Sequence, residues 1–266
     1  MTEIHDTAIV DASAELASGV VIGPYSIVGP RVRLAEGVKL HSHVAVTGKT
    51  SVGPRTEIFP FASIGQPPQD LKYEGEESEL IVGSDNMIRE HVTMNSGTEG
   101  GGLVTKVGNK CAFLTGCHVG HDTLVGDNVV LSNNVMLAGH CFIEDFVIVS
   151  GGAGVHQFTR IGKHSFIGGM SGVENDVIPY GMVLGNRARL AGLNIIGMKR
   201  RGFEREQIHA LRAAYRMLFA EEGTLRERVE DVAALFSEQQ DVMDIIDFIK
   251  AETSRSICMP RSSADD

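Results

Sequence analysis

An aliphatic residue recurs at every sixth position along most of this chain. Stepping in sixes from Ile4 gives Val10, Leu16, Ile22, Val28, Leu34, Leu40, Val46, Val52, Ile58 and Ile64 without a miss. The slot returns as Val82, Ile88 and Met94. It then runs from Val107 to Val173 in steps of six, with Phe113 the one member that is not aliphatic. Glycine often follows the slot, as at Gly23, Gly53, Gly120 and Gly162. The pattern describes a strand, a tight corner and another strand, with one large aliphatic per face pointing into a narrow core. Three faces make a coil of 18 residues, and the filled slots amount to roughly nine coils stacked about 4.8 Å apart.

Composition agrees with thin, regular coils. Aromatics make up 6% of the 266 residues, Trp is absent and Gly reaches 31. The net charge of −10 makes nucleic acid a poor partner. The opening MTEIHDTAIVDAS has neither the basic region nor the apolar run of a signal peptide. No apolar window approaches the length of a membrane span. Cys111, Cys117, Cys141 and Cys258 show no CxxC spacing and read as reduced, buried thiols. A cytoplasmic protein without stable membrane insertion is expected.

Two stretches interrupt the repeat, near 66–79 (QPPQDLKYEGEESE) and 95–106 (NSGTEGGGLVTK). Both read as loops thrown out from the coil, where function commonly sits. Pro179 ends the repeat, and from about Phe203 the period becomes helical, with Ile208, Leu211, Tyr215 and Leu218 on one face. Thr224 and Glu227 form a capping box for a second helix, and Val242, Ile245, Ile246 and Ile249 mark a third. The expected domains are a β-helix over 1–186 and a small helical domain over 187–266, with a loose polar tail after Ser254.

Histidine suits acid–base work near neutral pH, and His118, His121, His140 and His156 cluster in the second repeat block. His140 follows His121 by 19 residues and His156 follows His140 by 16, so a ladder of three along one edge is expected, about 5 Å apart. Asp122 stands beside His121. Side chains of strand neighbours point to opposite faces, so a direct His121–Asp122 bond requires a corner. A zinc site of the γ-type carbonic anhydrase kind is one alternative reading of these histidines, and a non-enzymatic scaffold is another. Between Asn186 and Arg228 ten Arg or Lys face five Glu, including the adjacent Arg200 and Arg201. Such forks suit phosphate, and a basic surface suits an acidic protein.

The segments GQPPQDLKYEGE, HVGHD, NNVMLAGH, VHQF and LNIIGMKRRGF resemble the UDP-N-acetylglucosamine acyltransferases, a family of hexapeptide-repeat enzymes. The likeness covers nearly the whole chain. It implies a left-handed coil, which period six alone does not decide. It implies a homotrimer with clefts between subunits, no metal or cofactor, and transfer of an (R)-3-hydroxyacyl chain from acyl carrier protein to the sugar 3-hydroxyl, the first step of lipid A biosynthesis.

By the same resemblance, His121 matches the general base, Asp122 its assisting acid and Gly139 the oxyanion N–H. Asp70, His118, His140, His156 and Gln157 match residues that position sugar and acyl chain, and Gln69 and Lys72 match the loop over the cleft. Asn194, Arg200 and Arg201 match the nucleotide-binding group. Gly169 matches the acyl-chain ruler, where glycine implies a longer chain. Ile196 departs from a usual Glu at the nucleotide, and Arg187 stands where a His is common. MNSGT also replaces the more usual Arg-containing version. A 3-amino acceptor, giving an amide, is the nearest alternative reaction.

Overall fold

Most repeats contribute a strand of two residues whose second member is the aliphatic slot, beginning with Glu3–Ile4, Ile9–Val10 and Glu15–Leu16. In the computed structural model, which describes residues 1–261, these strands stack into a left-handed parallel β-helix with three faces of 11, 9 and 8 strands. The three opening strands belong to the first, second and third faces in that order. The register steps by 18 residues per coil: Ile4 lies against Ile22, Ile22 against Leu40 and Leu40 against Ile58. Slot residues from Ile22 to Val173 are buried in the coil interior. Ile4 remains 47% exposed because no coil lies beneath it.

Two insertions lengthen the register on the first face. Ile58 pairs with Ile88, 30 residues on and so 12 more than one coil. Ile88 pairs with Phe113, 25 residues on and so 7 more. Both loops leave the edge between the second and third faces. One joins Ser63–Gln66 to Glu79–Val82, and the other joins Thr93–Asn95 to Val104–Val107. The second loop is shorter than the sequence pattern suggests, because Val104–Val107 already pairs with Glu79–Val82. That shared edge is where the site is built.

Corners place one residue in the left-handed region, and many are not glycine: Asp122, His140, Phe146, Phe158, His164 and Tyr180 all have φ between 59° and 64°. The αL conformation is unfavourable for bulky residues. Stacking across coils offsets it, as for His164, whose ring lies 4.7 Å from Phe146 and 5.5 Å from Tyr180, both nearly parallel.

Past Pro179 one more strand, Gly181–Leu184, continues the first face, and Arg189–Leu193 returns antiparallel to it. The segment after residue 186 therefore opens as sheet. Helices α1 (Ile195–Arg200), α2 (Arg205–Leu218), α3 (Leu225–Leu235) and α4 (Gln240–Lys250) follow. Thr224 and Glu227 form the capping box expected for α3. The helices are tied to the last coil by polar contacts. Arg160 pairs with the fully buried Asp176 at 2.8 Å and lies over the Phe248 ring. The Tyr180 hydroxyl reaches Asp241 and Asp244.

The expectation of a loose tail after Ser254 is overturned for the described residues. Ile257 forms a bridge with Asp176, the Cys258 N–H donates to the Asp176 carbonyl at 2.7 Å, and Cys258 is buried. Ile257 and Cys258 supply apolar surface that covers the end of the coil. All four cysteines are free and buried. Burial pushes the thiols of Cys111, Cys117 and Cys141 up to about 12, and that of Cys258 to about 11. No helix among the described residues is long and apolar enough to cross a membrane.

Candidate active site

His121 and Asp122 occupy the corner between the second and third faces, and the φ of +59° at Asp122 turns its side chain back onto its neighbour. His121 Nδ1 lies 2.8 Å from Asp122 Oδ2, the direct contact that a straight strand forbids. With Nδ1 donating to the carboxylate, the lone pair is on Nε2. The Asp122 side chain is 1% exposed. Its Oδ1 accepts the Thr98 backbone N–H at 2.8 Å, and its Oδ2 accepts the Thr98 hydroxyl at 2.5 Å. The Asp122 N–H donates to Thr105 Oγ1 at 2.7 Å. Gly97 and Gly101 press on the same carboxylate so closely that a Cβ at either would collide with it.

One coil further on, Gly139 sits under the His121 ring: a Cβ there would lie 2.5 Å from Nε2. At some equivalent corner positions on the first–third edge the N–H is taken, as for Asn109, Asp127 and Lys163, which donate to side-chain oxygens of Asp127, Asp145 and Glu144. Among the described residues no acceptor meets the Gly139 N–H. A free acceptor nitrogen and a free backbone donor thus lie side by side.

His140 stacks edge-on against His121 at 5.0 Å, and Asp122 Oδ2 lies 3.8 Å from its Nδ1. Burial lowers the His140 pKa, while Asp122 and the loop residue Asp70 pull the other way. His118 projects from the second face, hydrogen-bonded to Thr93 Oγ1 at 2.8 Å. Its pKa is lowered too, by burial first and then by His121. Both rings are therefore held toward the neutral form.

The third rung of the ladder is Phe158, stacked on His140 at 4.5 Å. The expected rung, His156, lies elsewhere because a spacing of 16 falls two short of a coil. It lines a groove of about 600 Å³ on the second face that also carries Gln69, Thr93, His118, Met136, Gly154 and Gly172. Gln157 is exposed beside it. Lys72 is exposed on the first loop, where its N–H donates to Asp70 Oδ1. Gly169 lies on the opposite edge of the second face, with open space beyond the Gly151 carbonyl.

The arginine group is not brought to the histidines within one chain. Asn194, Ile196, Arg200 and Arg201 line a separate pocket of about 630 Å³ against Ile148, Phe166 and Met182 of the first face. Asn194 caps α1 by accepting the Gly197 N–H, and Arg201 donates to the Phe146 carbonyl. Arg187 is at the surface, paired with Glu174.

His121, Asp122 and His140 hold potential metal ligands within 4.8 Å of one another. The donor set is two imidazoles and a carboxylate, where the carbonic anhydrase reading calls for three imidazoles. Both carboxylate oxygens are already hydrogen-bond acceptors, so a proton relay fits these residues better than a zinc centre. Thr98 and Thr105 escape sequence reading because the second loop breaks the coil arithmetic. A Thr ahead of a GGG run, at a phase shift facing the histidine edge, is the signal that points to them.

Residues 176–258 match the domain described as UDP N-acetylglucosamine O-acyltransferase, domain 2. An acyl-[acyl-carrier-protein]–UDP-N-acetylglucosamine O-acyltransferase from Caulobacter vibrioides is 53% identical over 257 residues, covering 97% of this chain and 98% of its own. One of the same name from Rhizobium johnstonii is 48% identical, covering 97% and 94%. The solved UDP-N-acetylglucosamine O-acyltransferase of Moraxella catarrhalis superposes with a TM-score of 0.92 at 41% identity, covering 96% and 98%. Identity of this extent over both chains, on the same coil and helices, makes this chain a member of the UDP-N-acetylglucosamine O-acyltransferase family.

Proposed function

We propose that this protein transfers an (R)-3-hydroxyacyl chain from acyl carrier protein to the 3-hydroxyl of UDP-N-acetylglucosamine, the opening step of lipid A biosynthesis, in the cytoplasm. The observation that carries the chemistry is the His121–Asp122 pair beside the unpartnered Gly139 N–H. His121 Nε2 takes the sugar hydroxyl proton as that oxygen attacks the thioester carbon. The tetrahedral oxyanion accepts the Gly139 N–H, a donor of a kind that contributes about 3 kcal/mol. Asp122 stabilises the imidazolium. On collapse the C–S bond breaks, and His121 returns its proton to the departing sulfur. The products are the sugar ester and the free thiol.

Asp70, Gln69, Lys72, His118, His140, His156 and Gln157 are assigned to holding the substrates along the second face. Asn194, Arg200 and Arg201 are assigned to the nucleotide. These two groups lie on different faces of one coil, so a cleft shared between copies is the arrangement that unites them, and this supports a homotrimer. Arg205, His209, Arg212 and Arg216 form an exposed stripe along α2, spaced by four, three and four residues. None of them belongs to an ion pair among the described residues. A basic stripe on an acidic chain suits the acidic carrier protein. The hydroxyl acceptor is favoured over the amine because the relatives are named O-acyltransferases.

Purified protein with UDP-N-acetylglucosamine and a 3-hydroxyacyl carrier protein should form the 3-O-acyl sugar nucleotide, insensitive to chelators. His121→Ala should lower kcat by at least about 100-fold without loss of fold. No transfer with any 3-hydroxyacyl chain sinks the assignment, and transfer only to the 3-amino sugar replaces it.

A further inference from the structure

His156 lines the groove on the second face, and the residue that meets His156 comes from 99 positions later in the chain. Arg255 Nη2 lies 2.6 Å from His156 Nδ1. Guanidinium nitrogens only donate, so this contact fixes Nδ1 as the acceptor. The proton of the neutral ring then sits on Nε2. The Gln157 carbonyl lies 3.3 Å from the same Nδ1 and asks for the opposite tautomer. The charged contact is much the shorter, and charge-assisted bonds are the stronger kind, so Arg255 decides.

The placement of Arg255 is secured by its neighbours. The Ser256 hydroxyl donates to Asn175 Oδ1 at 2.9 Å, and its carbonyl accepts the Asp176 N–H at 2.9 Å. Asp176 is fully buried, with its carboxylate held by the Arg160 N–H and guanidinium. The strap formed by residues 255–258 therefore carries Arg255 to His156.

We infer that Arg255 is a positioning residue for acyl-donor binding. It locks His156 as an Nε2–H donor, aimed at an oxygen of the acyl donor lying in the groove, such as its 3-hydroxyl or an amide carbonyl. The second face suits that occupant, since Gly154 and Gly172 lie in register and leave its floor flat beside Met136. This inference rests on the groove being the acyl-donor site of the proposed transferase.

The test has two independent readouts. Nitrogen NMR of the wild-type protein should show His156 protonated on Nε2 with a bare Nδ1. In Arg255→Met that preference should be lost, with thermal stability unchanged. In the transfer assay, Arg255→Met should raise KM for the acyl donor about tenfold, with kcat and the KM for the sugar nucleotide nearly unchanged. Arg255→Lys, which keeps a cationic donor, should recover most of the loss. A wild-type ring protonated on Nδ1, or a tautomer and KM indifferent to Arg255→Met, overturns the inference. The NMR result stands whether or not the chain transfers acyl groups. A wild-type protein that shows the tautomer but no transfer therefore removes the proposed function and with it the donor-binding role, leaving only the contact.

Discussion

The Thr98 hydroxyl lies 2.5 Å from the same Asp122 oxygen that accepts the His121 Nδ1–H. Two donors converge on one buried oxygen, and the second insertion loop exists partly to supply one of them. Thr98→Val removes that donor and keeps the shape. Transfer should slow about tenfold, as expected for the loss of a charge-assisted hydrogen bond. Thr98→Ser should recover it. Steady-state kcat of the three proteins checks the point, and equal rates would show that the loop is not part of the relay.

Gly139→Ala places a methyl group where the His121 ring now lies, 2.5 Å from Nε2. The backbone φ of Gly139 is not in the left-handed region, so the coil itself tolerates alanine. The ring must move off both its proton acceptor and the oxyanion position. A fall in kcat of about 100-fold or more, with an unchanged circular dichroism spectrum, is the expected result.

Gly169 has free space beyond 3.3 Å from the Gly151 carbonyl. Gly169→Met should fill the far side of the second face and move the chain-length optimum to shorter acyl donors. A competition assay with donors of graded length reads this directly, and an unaltered profile rejects Gly169 as the ruler.

The α2 stripe predicts salt-sensitive docking. Arg212→Glu with Arg216→Glu should raise KM for acyl carrier protein several-fold at low salt, converging with wild type as ionic strength rises. A small pantetheine thioester, which lacks the acidic protein, should show no such change.

The stack of Phe146, His164 and Tyr180 predicts a pH dependence of stability. Burial first, then Arg201 and Lys163, pushes the His164 pKa down from 6.5 to about 4. Between those values the unfolded chain binds more protons than the folded one. Stability present above pH 6.5 is therefore lost as pH falls toward 4, with solvent screening of the half-buried ring holding the slope below the full linkage value. His164→Phe keeps the stack and removes the proton. Urea midpoints measured across that range should fall less steeply for the variant, leaving the smaller slope from His118 and His140.

The slot rule made the coil legible, because each position from Ile22 to Val173 answers to the same local geometry. The His121–His140 contact was legible for the same reason, being one coil and one position apart. Coil arithmetic then misled at His156, since only a spacing near 18 keeps residues on one edge, and Phe158 took the rung. Contacts that cross a phase shift, such as Thr98 with Asp122, or that return from the helical end, such as Arg255 with His156, leave no periodic trace. They depend on where a loop or a strap lands. The role of the Gly139 N–H is implied by family resemblance; the sequence does not show that this N–H meets no acceptor among the described residues and that the His121 ring lies against Gly139.

The two ends of the coil are finished differently. Helices and the strap cover the last turn, whereas the slot residue Ile4 is 47% exposed at the first. Backbone pairing joins each turn only to the turns beside it, so the described coil behaves as a one-dimensional stack whose last turn is the better covered. Fraying should begin at the turn that carries Ile4, the least buried of the slots, and advance one rung at a time toward the first loop. Limited proteolysis should then shorten the chain from that end while the histidine corner, several turns away, keeps its geometry.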